Sequence, residues 1–277
     1  MTAVSVTILG TGNPIPDPNR AGSAALVHVG STRLLIDAGR GVLMRLAATG
    51  TLPIMLDAVL LTHLHSDHIT DLNDVITTHW VMSQQPAPLH IYGPEGTRQV
   101  VAGILAMLAP DVGYRLAHHL DLDWEPVVEV HEITPPGSIT IGEATITTQS
   151  TDHRPVEPTI GYRISGGGKS VAIAGDTIPC TGLDLLCTDA DVYVQTVIRD
   201  DLVRLVPSAR FRDILDYHST IEQAAQTAER NRVARLVCTH YVPARSPGDD
   251  EAWRELASRH FAGEVILADD LTRIDLG

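Results

Sequence analysis

The sequence contains little cysteine and no recognisable export signal. Its three cysteines, Cys180, Cys187 and Cys238, are odd in number and do not have the spacing of a metal-binding knuckle. The first residues, MTAVSVTILGTG, lack the charged, apolar and small-residue segments of a secretory signal. Both absences argue against an exported, disulfide-stabilised protein, and we expect a protein of the reducing cytoplasm.

Long apolar runs and clusters of basic residues are also scarce. The sequence shows no uninterrupted apolar run near the roughly 20 residues that cross a bilayer, so we expect no membrane span. The formal net charge is -14 at pH 7, and lysine and arginine do not cluster with interleaved aromatic residues. This charge disfavours long polyanions such as tRNA as partners, although a local basic groove or a bound metal can still hold one phosphate.

The chain does contain enough apolar sequence for a large core. Of its 277 residues, 44% are hydrophobic and 19% are charged. Candidate strands recur from end to end, and no Pro/Gly/Ser-rich linker or block of charge divides them. We therefore predict one domain over residues 1–277.

Short runs rich in Val, Ile, Leu and Thr, closed by Gly, Pro, Asp or Asn, predict strands. The predicted strands cover residues 4–9, 24–29, 32–37, 59–61, 140–150, 161–165, 169–174, 235–239 and 264–267. Apolar residues at helical spacing predict helices over 41–48, 97–108 and 249–260, and in the segments that follow Ile69 and Ile221. This mixed order predicts an α/β fold of layered sheets flanked by helices.

The strongest chemical signal is the segment THLHSDH at positions 62–68, which follows an apolar run and precedes a helical stripe. Residues two apart in an extended chain face the same way, so His63 and His65 can point to one metal. The turn into the helix brings Asp67 and His68 toward a neighbouring position, and the helix N-terminus favours an ionised Asp67. Because neutral imidazoles and carboxylates are good zinc ligands, the segment predicts a metal site.

Three further ligand-type residues, His153, Asp176 and His240, each follow an apolar strand. Any one of them alone would be an ordinary structural residue, but their shared position favours a metal site. If the strand ends converge, seven candidate ligands meet at one rim: His63, His65, Asp67, His68, His153, Asp176 and His240. The remaining histidines other than His218 are interpreted as structural, namely His28, His79, His90, His118, His119, His131 and His260.

These residues form a known pattern. The chain resembles the metallo-β-lactamase superfamily, whose signature is a His-x-His-x-Asp-His run followed by His, Asp and His. Within it, the chain is most similar to the ribonuclease Z and arylsulfatase-type branch, on the segments LGTG at 9–12, LIDAG at 35–39, AGDT at 174–177 and HST at 218–220. The resemblance implies an αββα sandwich with a metal site at one edge.

The resemblance also implies how the ligands divide. One metal would be held by His63, His65 and His153, the other by Asp67, His68 and His240, with Asp176 between them. The metals would be two Zn²⁺ ions, with Mn²⁺ or another divalent cation as the alternative. Such a pair can share a water and lower its pKa toward roughly 7, which makes hydroxide available for attack on an ester.

Catalytic roles follow from the same resemblance. Asp67 would orient the attacking water or accept its proton. His218 would bind the transferred group and protonate the leaving oxygen, with Ser219 and Thr220 beside it as substrate-binding residues. The alternative for this segment is structural, since Ser219 and Thr220 are also suited to cap the following helix. The branch resemblance further implies a homodimer.

Two segments depart from the pattern of the tRNA-processing members. Those enzymes carry a long basic arm before the bridging aspartate, whereas residues 165–169, SGGGK, suit a tight hairpin. They also keep a glutamate that supports the histidine matching His218, and here Gln195 and Thr196 cannot supply that carboxylate. Both departures argue against a grip on tRNA.

The sequence therefore ranks three functions. First is a metal-dependent hydrolase of small phosphodiesters, such as cyclic nucleotides, or of aryl sulfate esters. Second is a ribonuclease Z that processes tRNA 3′ ends. Third is a non-catalytic metal-binding scaffold, which the complete set of ligands opposes.

Overall fold

Two mixed β-sheets form the centre of the protein, whose computed structural model describes residues 2–277. The strands are β1 Val4–Gly10, β2 Ala24–Val29, β3 Thr32–Ile36, β4 Ala58–Leu60, β5 Leu89–Gly93, β6 Val128–Glu132, β7 Gly137–Ile141, β8 Ala144–Ser150, β9 Ile160–Gly166, β10 Lys169–Ile173, β11 Val192–Ile198, β12 Arg235–Val242, β13 Glu264–Leu267 and β14 Thr272–Asp275.

Both sheets follow the same plan. The first has the order β14-β1-β2-β3-β4-β5-β6, antiparallel as far as β3 and parallel from β3 to β6. The second has the order β13-β12-β11-β10-β9-β8-β7, parallel as far as β10 and antiparallel beyond it. Because neighbouring parallel strands end at the same edge of a sheet, each sheet presents a set of carboxyl ends together.

Helices cover the outer faces of the sheets. They are α1 Val42–Ala48, α2 Ser66–Ile69, α3 Leu72–Met82, α4 Thr97–His118, α5 Thr181–Cys187, α6 Asp200–Val203, α7 Ala209–Arg212, α8 Ile221–Arg230 and α9 Asp250–Ser258, with 3₁₀ turns at Pro53–Met55 and Asp213–Asp216.

Three apolar layers separate these elements. Val6 of the first sheet and Tyr162 of the second lie in one buried cluster between the sheets. Leu35 packs with α1 and α3 residues on one outer face, and Trp253 of α9 packs with Tyr193 on the other. Side chains alternate between the two faces of a strand, so one strand contributes to two layers. The predicted αββα sandwich is confirmed.

Two sequence predictions about elements were wrong. Residues 140–150 form two strands rather than one, because Gly142 turns the chain with φ 53°, in the left-handed region that glycine adopts without strain. The helix predicted to end at Leu108 instead continues through Pro110 to His118. By length and composition this helix, α4, is also long and apolar enough to cross a membrane, but one such helix is weak evidence of a span, and the expectation of no membrane span stays a prediction.

Candidate metal centre

The predicted ligands come from strand ends and from the turns that follow them. His63, His65, Asp67 and His68 lie in the turn between β4 and α2 and in α2 itself. The others follow or lie within strands of the second sheet: His153 comes after β8, Asp176 after β10, and His240 in β12. His240 has φ 50°, a conformation that costs energy in a non-glycine residue and is found at functional sites.

The Asp176 carboxylate is the centre of the arrangement. Its Oδ2 atom lies 3.3 Å from His218 Nε2, 3.5 Å from His68 Nε2, 3.7 Å from His240 Nε2, and 3.8 Å from the Nε2 atoms of both His63 and His153. Two ligands about 2.0–2.1 Å from a tetrahedral zinc ion lie about 3.3–3.4 Å apart. The ring nitrogens therefore surround Asp176 at the spacing of ligands that share cations with it.

The first group of potential ligands is His63, His65, His153 and Asp176, whose ligand atoms all lie within 4.8 Å of one another. His65 Nδ1 is 3.1 Å from His63 Nε2 and 3.3 Å from His153 Nε2. His153 Nδ1 donates a hydrogen bond to the Tyr217 carbonyl at 2.8 Å, which leaves its Nε2 lone pair facing the group.

The second group is Asp67, His68 and His240, again within 4.8 Å of one another. Asp67 Oδ2 lies 3.0 Å from His240 Nε2 and 3.7 Å from His68 Nε2. Within residues 2–277, His68 Nε2 is a buried nitrogen with no hydrogen-bond partner. A buried polar atom without a partner is costly, so this nitrogen fits a metal ligand better than a structural group.

Asp37 and Thr196 support the site, and sequence reasoning gave neither of them a role. The Asp37 carboxylate accepts hydrogen bonds from Thr62 N at 2.8 Å and from His68 Nδ1 at 2.8 Å, so it fixes the His68 ring with Nε2 toward the centre. Thr196 donates its hydroxyl to Asp176 Oδ1 at 2.7 Å. The LIDAG segment was a signal for Asp37, but its partner is distant in sequence.

His218 reaches the centre, whereas its two neighbours turn away from it. His218 Nδ1 donates to the Ile214 carbonyl at 3.1 Å, and Nε2 faces Asp176. Ser219 Oγ donates to the Thr177 carbonyl at 2.7 Å, and Thr220 caps α8 by accepting from Gln223 N at 3.1 Å. The geometry gives Ser219 and Thr220 structural contacts, and their substrate-binding role remains a prediction.

Two imidazoles and the central carboxylate have pKa values that favour their metal-binding protonation states. Burial lowers the pKa of His153 to about 4, and burial together with repulsion from His68 holds the pKa of His63 well below its usual value. Burial alone would raise the pKa of Asp176, but His240 and His68 hold that pKa well below its usual value. Neutral imidazoles and an ionised carboxylate are the forms that bind a metal.

His68 behaves differently from the other two imidazoles. Burial lowers its pKa, but the carboxylates of Asp176 and Asp37 outweigh burial and raise the pKa well above the usual value. This position therefore carries an excess of negative potential that a proton or a metal cation can satisfy. The donor set as a whole fits divalent metal ions.

A cavity of about 330 Å³ opens onto the centre. His65, Asp67, Asp176, His218 and His240 form its polar floor. Arg210, whose side chain is exposed, adds a basic group to the lining. The rest of the lining is largely apolar and includes Ile15, Phe211, Ile214 and Val242.

The fold, the ligands and the cavity together define a metallo-hydrolase. The chain matches the family described as "Beta-lactamase superfamily domain" over residues 32–241, and it belongs to the metallo-β-lactamase superfamily. It is 52% identical over 275 residues to a ribonuclease Z of Mycobacterium bovis, covering 99% of this chain and 98% of that protein. A ribonuclease Z of Mycobacterium avium is 53% identical over the same length and coverage.

Solved structures give the same assignment. The metallo-β-lactamase fold protein YhfI from Bacillus subtilis matches with a TM-score of 0.77 and 25% identity, over 99% of this chain and 100% of that one. The short form of human tRNase Z matches with a TM-score of 0.72 and 26% identity, over 99% of both chains. The resemblance to the ribonuclease Z branch is thus confirmed, and the chain is a metal-dependent hydrolase.

Proposed function

We propose that this hydrolase is a ribonuclease that cleaves precursor tRNA at the 3′ end, using two Zn²⁺ ions in the cytoplasm. The single observation that carries the hydrolytic chemistry is the position of Asp176 Oδ2, which lies 3.5–3.8 Å from four imidazole nitrogens of the two ligand groups and 3.3 Å from His218 Nε2. Because the relatives are named ribonuclease Z and tRNase Z, we rank tRNA as a substrate ahead of the small esters that ranked first from the sequence alone.

The absent arm no longer argues against tRNA. The connection between β9 and β10 is a tight turn at Gly167 and Gly168, both with positive φ, as the sequence predicted. However, 275 aligned residues make up 98% of the Mycobacterium bovis ribonuclease Z, so the two chains have nearly the same length. A long additional arm does not fit within that length, and the short hairpin does not separate this chain from that relative.

A basic side chain that can bind an RNA phosphate lies beside the site and can take the place of the absent arm. Arg210 lies in α7 and lines the cavity with its exposed side chain. Arg204 lies nearby in sequence, but it pairs with Asp200 at 3.3 Å and does not line the cavity. We assign Arg210 to a backbone phosphate of the RNA, because guanidinium groups bind phosphate through paired hydrogen bonds.

The side chains have separate tasks in the proposed reaction. When bound, two Zn²⁺ ions would supply Lewis acidity that lowers the pKa of a water molecule and neutralises charge on phosphoryl oxygens. Asp67 lines the cavity and accepts the proton of the attacking water. His218 donates Nδ1–H to the Ile214 carbonyl and directs Nε2 into the cavity, so its imidazolium form would pass the Nε2 proton to the leaving oxygen and become neutral imidazole.

A side-by-side assay tests the proposal. Zinc-reconstituted enzyme is compared on precursor tRNA, bis(p-nitrophenyl) phosphate, a cyclic nucleotide and an aryl sulfate. We expect Arg210→Ala to weaken precursor tRNA binding and to reduce the salt dependence by about one phosphate contact, with little change on the small esters. Arg204→Ala is the matched control and should behave like the unmodified chain.

A small phosphodiester or sulfate ester remains the second candidate. The net charge of -14 opposes a polyanion, and the cavity of about 330 Å³ with its apolar wall is the size of one small ligand. A turnover rate on a small ester far above that on precursor tRNA at physiological salt, with Arg210→Ala indistinguishable from Arg204→Ala, would place this candidate first.

We also propose a homodimer that uses the exposed side of α4. This helix buries Thr97, Val101 and Val112, while Met107 and Tyr114 are exposed. Met107 and Tyr114 are seven residues apart and therefore lie on the same face of α4, and a second copy is the partner that the branch resemblance implies. Met107→Glu should shift the mass in solution, measured by light scattering, from dimer to monomer; a monomer before substitution would contradict the assignment.

A further inference from the structure

A second group of metal-type side chains lies on β5 and β6 and shares no residue with the centre around Asp176. His90 of β5 is the cross-strand neighbour of Glu129 of β6, and His131 follows two residues later on the same face of β6. One ligand atom from each of the three lies within 4.8 Å of the other two. Both histidines had a structural interpretation from the sequence.

The distances match ligand spacing better than hydrogen bonding. His90 Nδ1 lies 3.4 Å from Glu129 Oε2 and 3.4 Å from His131 Nε2. A ring nitrogen has one proton and can serve one of these neighbours, and good hydrogen bonds to nitrogen are shorter, about 2.7–3.2 Å. By contrast, about 3.3–3.4 Å is the separation of two ligands on a tetrahedral zinc ion.

Stacked rings hold the histidines in place. The His131 ring stacks on Tyr92 with centroids 4.4 Å apart and planes 17° from parallel. The His90 ring stacks on His131 at 5.6 Å and 30°. Tyr92 packs against the core between the sheets, so it anchors the stack. The ring planes are therefore fixed before any ligand binds, which reduces the entropy lost on binding.

We propose that His90, Glu129 and His131 form a separate site for a divalent transition metal, and that the bound ion is Zn²⁺. Two imidazoles and a glutamate are a known zinc donor set that leaves a fourth position for water. The His90 and Glu129 side chains are 37% and 53% exposed, so solvent reaches that position. Because its ligands come from two strands, the metal would join β6, the edge strand of the first sheet, to β5.

The partial exposure of His90 and Glu129 affects the expected Zn²⁺ affinity of this site and the opening of β6. The centre around Asp176 is buried and fills first, so the site on β5 and β6 should fill at higher free Zn²⁺. Binding should also slow amide hydrogen exchange in β6, since an edge strand opens more easily than a central one.

Zinc binding measured by equilibrium dialysis and elemental analysis tests the site. At saturating free Zn²⁺ we expect Glu129→Gln and His131→Gln each to bind one equivalent less than the unmodified chain, while the equivalents bound most tightly are unchanged. Replacing both His118 and His119, two exposed neighbouring histidines, by glutamine is the control for general loss of surface histidine. Equal stoichiometry in all the proteins would overturn the proposal.

A measurement on the unmodified protein decides without any substitution. In long-range ¹H–¹⁵N spectra of the histidine rings, Zn²⁺ added after the first equivalents are bound should shift His90 Nδ1 and His131 Nε2. The ring signals of His118 and His119 should stay unchanged. Signals of His90 and His131 that do not respond to Zn²⁺, or respond together with those of His118 and His119, would show that the cluster is an ordinary surface network.

Discussion

Replacing Asp37 by asparagine changes one atom and should weaken metal binding at only one of the two proposed metal positions. Asp37 is 2% exposed and accepts from Thr62 N and from His68 Nδ1, both at 2.8 Å. Asparagine can keep its oxygen on Thr62, but its amide then donates toward His68 Nδ1. That nitrogen must become an acceptor, which moves the ring proton to Nε2, the atom proposed to bind metal.

The size of the effect follows from that change of tautomer. Removing an outer partner of a metal-binding histidine typically costs about 10–100-fold in metal affinity. At about 1.36 kcal/mol per factor of ten, this is about 1.4–2.7 kcal/mol. We expect a value near the upper end, because the change of tautomer puts a proton on Nε2, the atom that is proposed to bind the metal. The loss should fall on the ion held by Asp67, His68 and His240, and hardly on the other ion.

Competition with a chelator of known zinc affinity measures the two binding constants. Asp57→Asn is the matched control, because Asp57 is exposed and accepts from Arg33 N at 2.7 Å in the connection between β3 and β4. Saturating Zn²⁺ should restore most of the Asp37→Asn turnover. Equal weakening of both ions, or affinities unchanged from those of Asp57→Asn, would refute the reasoning about the His68 tautomer.

Three other outcomes follow from the same geometry. His63→Ala should mainly release the ion of its own group, and His240→Ala the ion of the other group. Loss of both ions from either variant, measured by elemental analysis, would contradict the division into two groups. His218→Ala should lower turnover with metal content nearly unchanged, and equal loss of metal would make His218 a ligand. Burial raises the pKa of Cys238 to about 12, so its reactive thiolate form is scarce at pH 8. Cys180 is partly exposed and should react much faster with a disulfide reagent than Cys238, and equal rates would contradict the described packing.

The sequence predicted which candidate ligands come together because four of the seven lie in one short segment. Residues 62–68 contain His63, His65, Asp67 and His68, and local geometry alone places them together. His153, Asp176 and His240 were found because each follows an apolar run and carboxyl ends of strands tend to meet, although β12 continues past His240 to Val242. These are local signals, so no knowledge of distant contacts was needed.

The supporting contacts could not be predicted in the same way. Asp37 meets His68 across 31 residues, and Thr196 meets Asp176 across 20. Thr196 attracted attention only as a missing glutamate, but in the structure its hydroxyl orients Asp176 rather than His218. Such partners depend on the pairing of strands, which the order of residues does not specify.

Some elements were missed for a related reason. β5, β6, β11 and β14 were not among the predicted strands, and β6 shows only partial burial on an edge of its sheet. An edge strand needs less apolar sequence than a central one, so the patterns of β6 and β14 are weak; β5 and β11 are central strands, and this reason does not apply to them. The cluster of His90, Glu129 and His131 depends on the pairing of β5 with β6, and it was therefore invisible in the sequence.

The origin of the ligands explains why the centre lies where the two sheets meet. His63 and His65 follow a strand of the first sheet, whereas their partner His153 follows a strand of the second. Likewise, Asp67 and His68 come from the first half of the chain and His240 from the second. Each proposed ion therefore joins both sheets, and neither half can form a complete group alone. Metal binding and the packing of the two sheets should stabilise each other, because an ion that binds only the assembled sandwich favours the folded state by mass action.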